Sequence, residues 1–158
     1  IRRKTAYLFG GSVQIGGMLG GVSAEQEQAL QQYGFSLGIA FQIIDDLLDF
    51  TGDLVAIGKP VGADLREGKM TLPLIHLLQQ GDAVGAQVVR DIIASRTATD
   101  EQWALLLKRL KDSRSIEYAR RRAAEYAERA KKPLYAFPPS SEREALLALP
   151  DFVLSRDR

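Results

Sequence analysis

Cysteine is absent from the 158 residues, which excludes disulfides and thiolate metal sites. No apolar run reaches the ~20 residues that a membrane-spanning helix needs, so no transmembrane segment is expected. An excess of one charge is missing too. Lys and Arg number 21 against 20 Asp and Glu, the formal charge is +1, and the basic residues are dispersed. Nucleic acid is therefore not the expected partner. Strand-like alternation, internal repeats, low-complexity tracts and linkers are likewise missing. What remains is ordinary globular composition, 46% hydrophobic and 26% charged, in a chain long enough to bury roughly 70% of its extended surface. With no secretory-type N-terminus, the cytoplasm is the expected compartment.

Apolar residues recur at helical spacing almost throughout, which predicts an all-α fold, a helical bundle. The first helix is expected over Arg3 to Leu19, where Gly10, Gly11, Gly16 and Gly17 give it one thin face suited to close helix packing. Ser23 with Gln26 forms a capping-box signal for a second helix running to about Phe50. The stretch from Thr51 to Lys69, rich in glycine, reads as a long connection, and loops of that length are usually functional or disordered. Further helices are expected from Thr71 to Gly81, Ala83 to Ala94, Asp100 to Lys111, Ile116 to Lys131 and Glu142 to Ser155. Thr99 with Gln102 and Ser141 with Glu144 supply two more capping signals.

Three carboxylates, Asp45, Asp46 and Asp49, stand in the most apolar stretch of the chain, Phe41 to Phe50. On a helix Asp45 and Asp49 share a face, with Cβ atoms roughly 5–6 Å apart. Two bare carboxylates that close repel by roughly 3 kcal/mol at an effective dielectric of about 20. A hard divalent cation or several basic groups would relieve that repulsion, and Mg²⁺ typically adds substrate phosphates to its ligands. Taken alone, the string also reads as the solvent stripe of an amphipathic helix. Its surroundings favour phosphate, because Lys4 and Thr5 precede it while Gly58-Lys59 and Gly68-Lys69 follow it in the long connection.

Lys4-Thr5-Ala6, Tyr33-Gly34, Leu37-Gly38, Phe41-Gln42-Ile43-Ile44-Asp45-Asp46-Leu47-Leu48-Asp49, Gly58-Lys59 and Asp64-Leu65-Arg66-Glu67-Gly68-Lys69-Met70-Thr71-Leu72-Pro73 together resemble the C-terminal half of the trans-polyprenyl diphosphate synthases. The resemblance covers essentially residues 1–158. It implies the C-terminal portion of the isoprenoid synthase fold, with Asp45, Asp46 and Asp49 as metal ligands for Mg²⁺. It also implies that Lys4, Thr5, Phe41, Gln42, Lys59 and Lys69 bind the allylic prenyl diphosphate, with Lys4, Thr5, Gln42 and Lys59 assisting its ionisation. Isopentenyl diphosphate would then attack the allylic cation, and a homodimer is the implied assembly.

The resemblance also implies an N-terminal half with a first aspartate-rich motif, which these residues do not include. The chain alone is therefore expected to turn over negligibly, and apolar faces meant for the other half are expected to be exposed. Two alternatives stand beside chain elongation: a non-catalytic partner subunit of a heteromeric prenyl synthase, and a class I terpene cyclase. His76, the one histidine, is expected to be structural, and Arg120, Arg121 and Arg122 to be a solvated helix face. The Gly62-to-Lys69 loop and the Asp151-Phe152-Val153 segment resemble long-chain synthases more than short-chain ones.

Overall fold

The computed structural model describes residues 2–51 and 62–156, and every regular element among them is helical. These are α1 (Tyr7–Leu19), α2 (Ala24–Thr51), α3 (Ala63–Arg66), α4 (Leu72–Gln79), α5 (Ala83–Ser95), α6 (Asp100–Asp112), α7 (Ser115–Lys131) and α8 (Ser141–Ser155). A π-helical turn, Arg2–Ala6, precedes α1, and a 3₁₀ turn, Lys132–Ala136, follows α7. None of these helices is long and apolar enough to cross a membrane. The chain divides into two compact units, Ile1–Ile44 with Arg122–Arg156, and Asp45–Arg121.

In the first unit the glycines let α1 and α2 approach backbone to backbone. A Cβ on Gly34 would lie 2.6 Å from the Phe9 carbonyl oxygen, and one on Gly38 would lie 2.8 Å from the Ala6 Cα. The thin face expected of α1 is thus real at Gly10 and Gly17, which are buried, whereas Gly11 and Gly16 look onto open space. The continuous α-helix expected from Arg3 is corrected at its start, where the Arg2–Ala6 turn is π-helical beside the tight Ala6–Gly38 contact. Ser23 and Gln26 cap α2 reciprocally, as their spacing predicts. At α8 the cap is Ser140, which accepts from the Arg143 N–H. The Ser141 cap is corrected by one residue, because Ser140 is extended and Ser141 is already helical.

Pro150 lies inside α8 and has no N–H to give the Leu146 carbonyl. The Tyr33 hydroxyl of α2 donates to that carbonyl instead, at 2.9 Å. Burial pushes the Tyr33 phenol from 10.0 up to about 12. Since the folded value lies above the unfolded one, the stabilisation is intact below pH 10 and is lost as pH rises from 10 towards 12. Tyr33→Phe is expected to cost about 1–2 kcal/mol at neutral pH, by leaving a buried carbonyl short of a donor. It should also remove this alkaline loss. Urea denaturation at pH 7 and at pH 11 checks both.

The second unit is built on Phe50, Leu65, Leu74, Leu77, Val88, Val89, Ile92, Leu106 and Leu110, all buried, with the Phe50 and Trp103 rings stacked at 5.8 Å. Asp82 caps α5 through the Gly85 N–H, and Thr99 with Gln102 forms the expected capping box on α6. The unstructured connection expected from Thr51 to Lys69 is corrected at both ends. Thr51 still belongs to α2, and Ala63–Arg66 is a helical turn because Leu65 is drawn wholly into the core.

Candidate functional site

Asp45, Asp46 and Asp49 all lie on α2 and open the second unit, but the fold gives them three different surroundings. Asp45 is exposed, Asp46 is 2% exposed, and Asp49 is half-buried. Asp49 acts as a cap from outside for α3: its two carboxylate oxygens accept the Ala63 and Asp64 N–H groups at 3.0 and 3.1 Å, and its carbonyl accepts the Gly62 N–H. Gly62 is required at that point. Its φ is +81°, and a Cβ there would sit 2.6 Å from the Trp103 ring.

The turn after α3 brings Lys69 back towards α2. Gly68, with φ +81°, lets the Lys69 N–H reach the Asp64 carbonyl. The Lys69 ammonium then donates to Asp46 at 2.8 Å and to Asp64 at 2.5 Å. Burial opposes that ammonium, but the hydrogen bonds to Asp46 and Asp64 outweigh it and raise its pKa. For Asp49, burial comes first and pushes the carboxyl up. The Asp64 charge adds to the rise, while the two backbone N–H groups and Lys69 oppose it.

In the first unit Thr5 and Gln42 come together, the Thr5 hydroxyl donating to the Gln42 side-chain carbonyl at 2.8 Å. Gln42 is 8% exposed, whereas Lys4 is exposed within the π-helical turn. π-Helical turns of this kind frequently mark functional positions. Phe41 sits between the Phe9 ring at 5.5 Å and the Arg156 guanidinium, 5.1 Å from its centroid. Lys59 lies outside the described residues.

His76 has a structural setting. Its Nδ1 is 2.9 Å from the Ser115 hydroxyl, and its ring stacks on Tyr118 at 4.2 Å. Arg122 pairs with Glu125 and Arg121 lies over Tyr118, in keeping with a solvated face. Sequence reading missed the external cap by Asp49 and the Asp46–Lys69–Asp64 ion triad. No local signal marks a cap fourteen residues from its helix.

Among the described residues, no group of three or more His, Cys, Asp or Glu side chains gathers as a closed metal site. Asp45 and Asp49 stand one helical turn apart on α2, and Mg²⁺ typically takes one or two carboxylate ligands with water and phosphate oxygens completing the set. Asp46 is turned into the structure, on Lys69.

The profile of the polyprenyl synthetase family matches residues 1–110. Over 158 residues the chain is 42% identical to octaprenyl diphosphate synthase of Escherichia coli, covering 100% of this chain and 49% of that protein. It is 35% identical over 157 residues to geranylgeranyl diphosphate synthase of Methanosarcina mazei, covering 99% and 47%. Among solved structures, polyprenyl synthase from Caulobacter crescentus, complexed with calcium and isoprenyl diphosphate, superposes with a TM-score of 0.90 at 37% identity, covering 100% of this chain and 48% of that one. The chain thus spans about half the length of the curated relatives it matches. The motif residues, the all-helical architecture and the family profile converge, and the chain belongs to the polyprenyl synthetase family.

Proposed function

We propose that the chain supplies the allylic-diphosphate half of a trans-prenyltransferase, which condenses an allylic prenyl diphosphate with isopentenyl diphosphate. The observation that carries this reading is the 42% identity to an octaprenyl diphosphate synthase, maintained over the whole chain. The Caulobacter crescentus relative, crystallised with calcium and isoprenyl diphosphate, supports a divalent cation as part of the site. Mg²⁺ would be held by Asp45 and Asp49, and when bound it supplies Lewis-acid polarisation of phosphate oxygens.

The chain's own residues do the rest by binding and orientation. Lys4 brings a mobile positive charge to a diphosphate oxygen, and Thr5 and Gln42, already bonded to each other, fix one another's polar ends. Lys59 belongs to the same proposal as a phosphate-binding lysine. Lys69 acts one step back, neutralising Asp46 and Asp64 and tying α3 to α2. A homodimer in the cytoplasm, negligible turnover without the complementary half, and a long-chain product complete the reading.

Calorimetric titration with a non-hydrolysable prenyl diphosphate analogue, with and without Mg²⁺, tests it. Binding is expected to require Mg²⁺ and to weaken roughly 10–100-fold in Asp45→Ala, with helix content unchanged. Equal binding by Asp45→Ala would remove Asp45 from the site. Absence of any binding by a folded chain would overturn the assignment of ligand capture to this half.

A further inference from the structure

An open pocket of about 470 Å³ in the second unit is lined by His76 of α4, by Arg114 in the link before α7, and by Glu117, Tyr118 and Arg121 of α7. All of them belong to the one stretch Asp45–Arg121. The walls are charged, and charged side chains are seldom buried without partners, so this is not a surface built to receive another helix. Neither guanidinium has an ion-pair partner among the described residues, although on the adjoining helices Arg109 reaches Asp82 at 3.7 Å and Arg122 pairs with Glu125. Glu117 is unpaired as well. Two positive groups against one negative leave the pocket with a surplus of positive charge, in a chain whose charges otherwise nearly balance.

The hydrogen bonds around His76 fix which of its nitrogens carries the proton. The Ser113 hydroxyl donates to the Arg109 carbonyl at 2.8 Å, so towards Ser115, 2.7 Å away, it can only accept. The Ser115 hydroxyl thereby gives its one proton to Ser113, and it accepts from His76 Nδ1 at 2.9 Å. Ser115 is wholly buried, so no water competes for this chain. His76 thus carries its N–H at Nδ1 and a lone pair at Nε2, on the opposite edge of the ring, where the amide of the exposed Gln80 lies 3.3 Å away. Tyr118, stacked on the imidazole at 4.2 Å, holds it in that orientation, and the Arg121 guanidinium lies 5.6 Å from the Tyr118 centroid. A proton added at Nε2 turns the lone pair into a donor and leaves the Ser115 bond intact.

We propose that this pocket binds a small soluble phosphate-type dianion, held between Arg114 and Arg121, with one proton passing from solvent to His76 Nε2 as the anion enters. Planar guanidinium groups suit paired contacts to oxyanions, and the imidazolium adds a further donor. The charges then match. With Glu117 set against them, the two arginines leave one net positive charge, and the proton on His76 brings it to two, equal to the charge of the dianion. The titratable and charged groups that share the pocket with His76 are Arg114, Glu117, Tyr118 and Arg121. None of the residues assigned to the allylic diphosphate lines it, and an anion held there would clamp α4 to α7 without any metal.

The chain has one histidine, so its imidazole proton signal in nuclear magnetic resonance reports on the pocket without ambiguity. Sulfate is the first probe, because it stays a dianion across the range in which histidine titrates, and EDTA keeps divalent cations out. Sulfate is expected to move the signal towards its protonated position until it saturates, with binding about tenfold tighter at about pH 6 than at about pH 8. Inorganic phosphate should compete with it. Arg114→Gly and Arg121→Gln should each weaken binding about tenfold or more. Arg114 has φ +53°, a backbone conformation that favours glycine, and Arg121 is exposed, so neither change should lower the urea midpoint and lost binding would not be lost folding. Four results would overturn the inference: a signal that sulfate leaves unmoved, a shift that chloride reproduces at equal ionic strength, a shift retained in both arginine variants, or binding to phosphatidic acid vesicles alone. The readout involves neither Mg²⁺ nor a prenyl diphosphate, so its failure is distinct from failure of the calorimetric titration.

Discussion

Gly34→Val is expected to destabilise the first unit by about 3 kcal/mol or more, the largest loss from any single substitution considered. Its Cβ would stand 2.6 Å from the Phe9 carbonyl oxygen and 2.9 Å from the Gly10 Cα, both atoms of the facing backbone. A crowded side chain can change rotamer, but two packed backbones can only separate, and overpacking of this kind typically costs 1–3 kcal/mol or more. The opposing gain is small: replacing an interior helical glycine recovers at most ~1 kcal/mol of propensity. The clash therefore decides the sign. Gly11→Ala is the matched control. With nothing within 4 Å it should raise the stability of the isolated chain by about 0.5–1 kcal/mol. Urea melts followed by circular dichroism separate the two, and a neutral Gly34→Val would mean that α1 does not press on α2 as described.

Lys69→Met is expected to destabilise the second unit by about 2–3 kcal/mol. Asp46 is 2% exposed and accepts from Lys69 at 2.8 Å, so loss of the ammonium strands a carboxylate in the interior. Breaking a fully buried pair costs roughly 3–5 kcal/mol. The smaller figure applies because Lys69 is 38% exposed and Asp46 has further interactions. The variant also releases Asp64, and with it one of the ties between α3 and the rest of the unit. Trp103, the one tryptophan, packs on Phe50 in this unit, so its fluorescence reports the loss directly. Asp46→Asn added to Lys69→Met should recover part of it, since a neutral amide costs less to bury than an unpaired charge. No recovery would show that Lys69 acts by packing alone.

Much of the fold is legible in the amino-acid order because it is governed by neighbours three or four residues apart. The reciprocal caps at Ser23–Gln26 and Thr99–Gln102 and the glycine face of α1 are of this kind. What escapes a linear reading is governed by distant partners. The Ala63–Arg66 turn is hidden by surrounding glycines because its stability comes from Leu65 in the core and from Asp49, fourteen residues before Ala63. Capping rules look only within one turn. In the site, the DDxxD spacing places Asp45 and Asp49 on one helix face but says nothing of the partners met by each of the three carboxylates. The fold separates them into an exposed Asp45, an Asp46 neutralised by Lys69, and an Asp49 bonded to backbone, since the partners of the last two arrive only once the chain has turned at Gly62 and Gly68.

The division of the chain also sets an order of events during synthesis. The second unit is a single stretch, Asp45–Arg121, and its core is complete as soon as that stretch has left the ribosome. The first unit is split, and the Tyr33–Leu146 bond that joins α2 to α8 spans 113 residues. α2 and α8 can close on each other only after α8 has been made. High contact order is thus concentrated in the first unit, which places the slow, aggregation-exposed step of folding there.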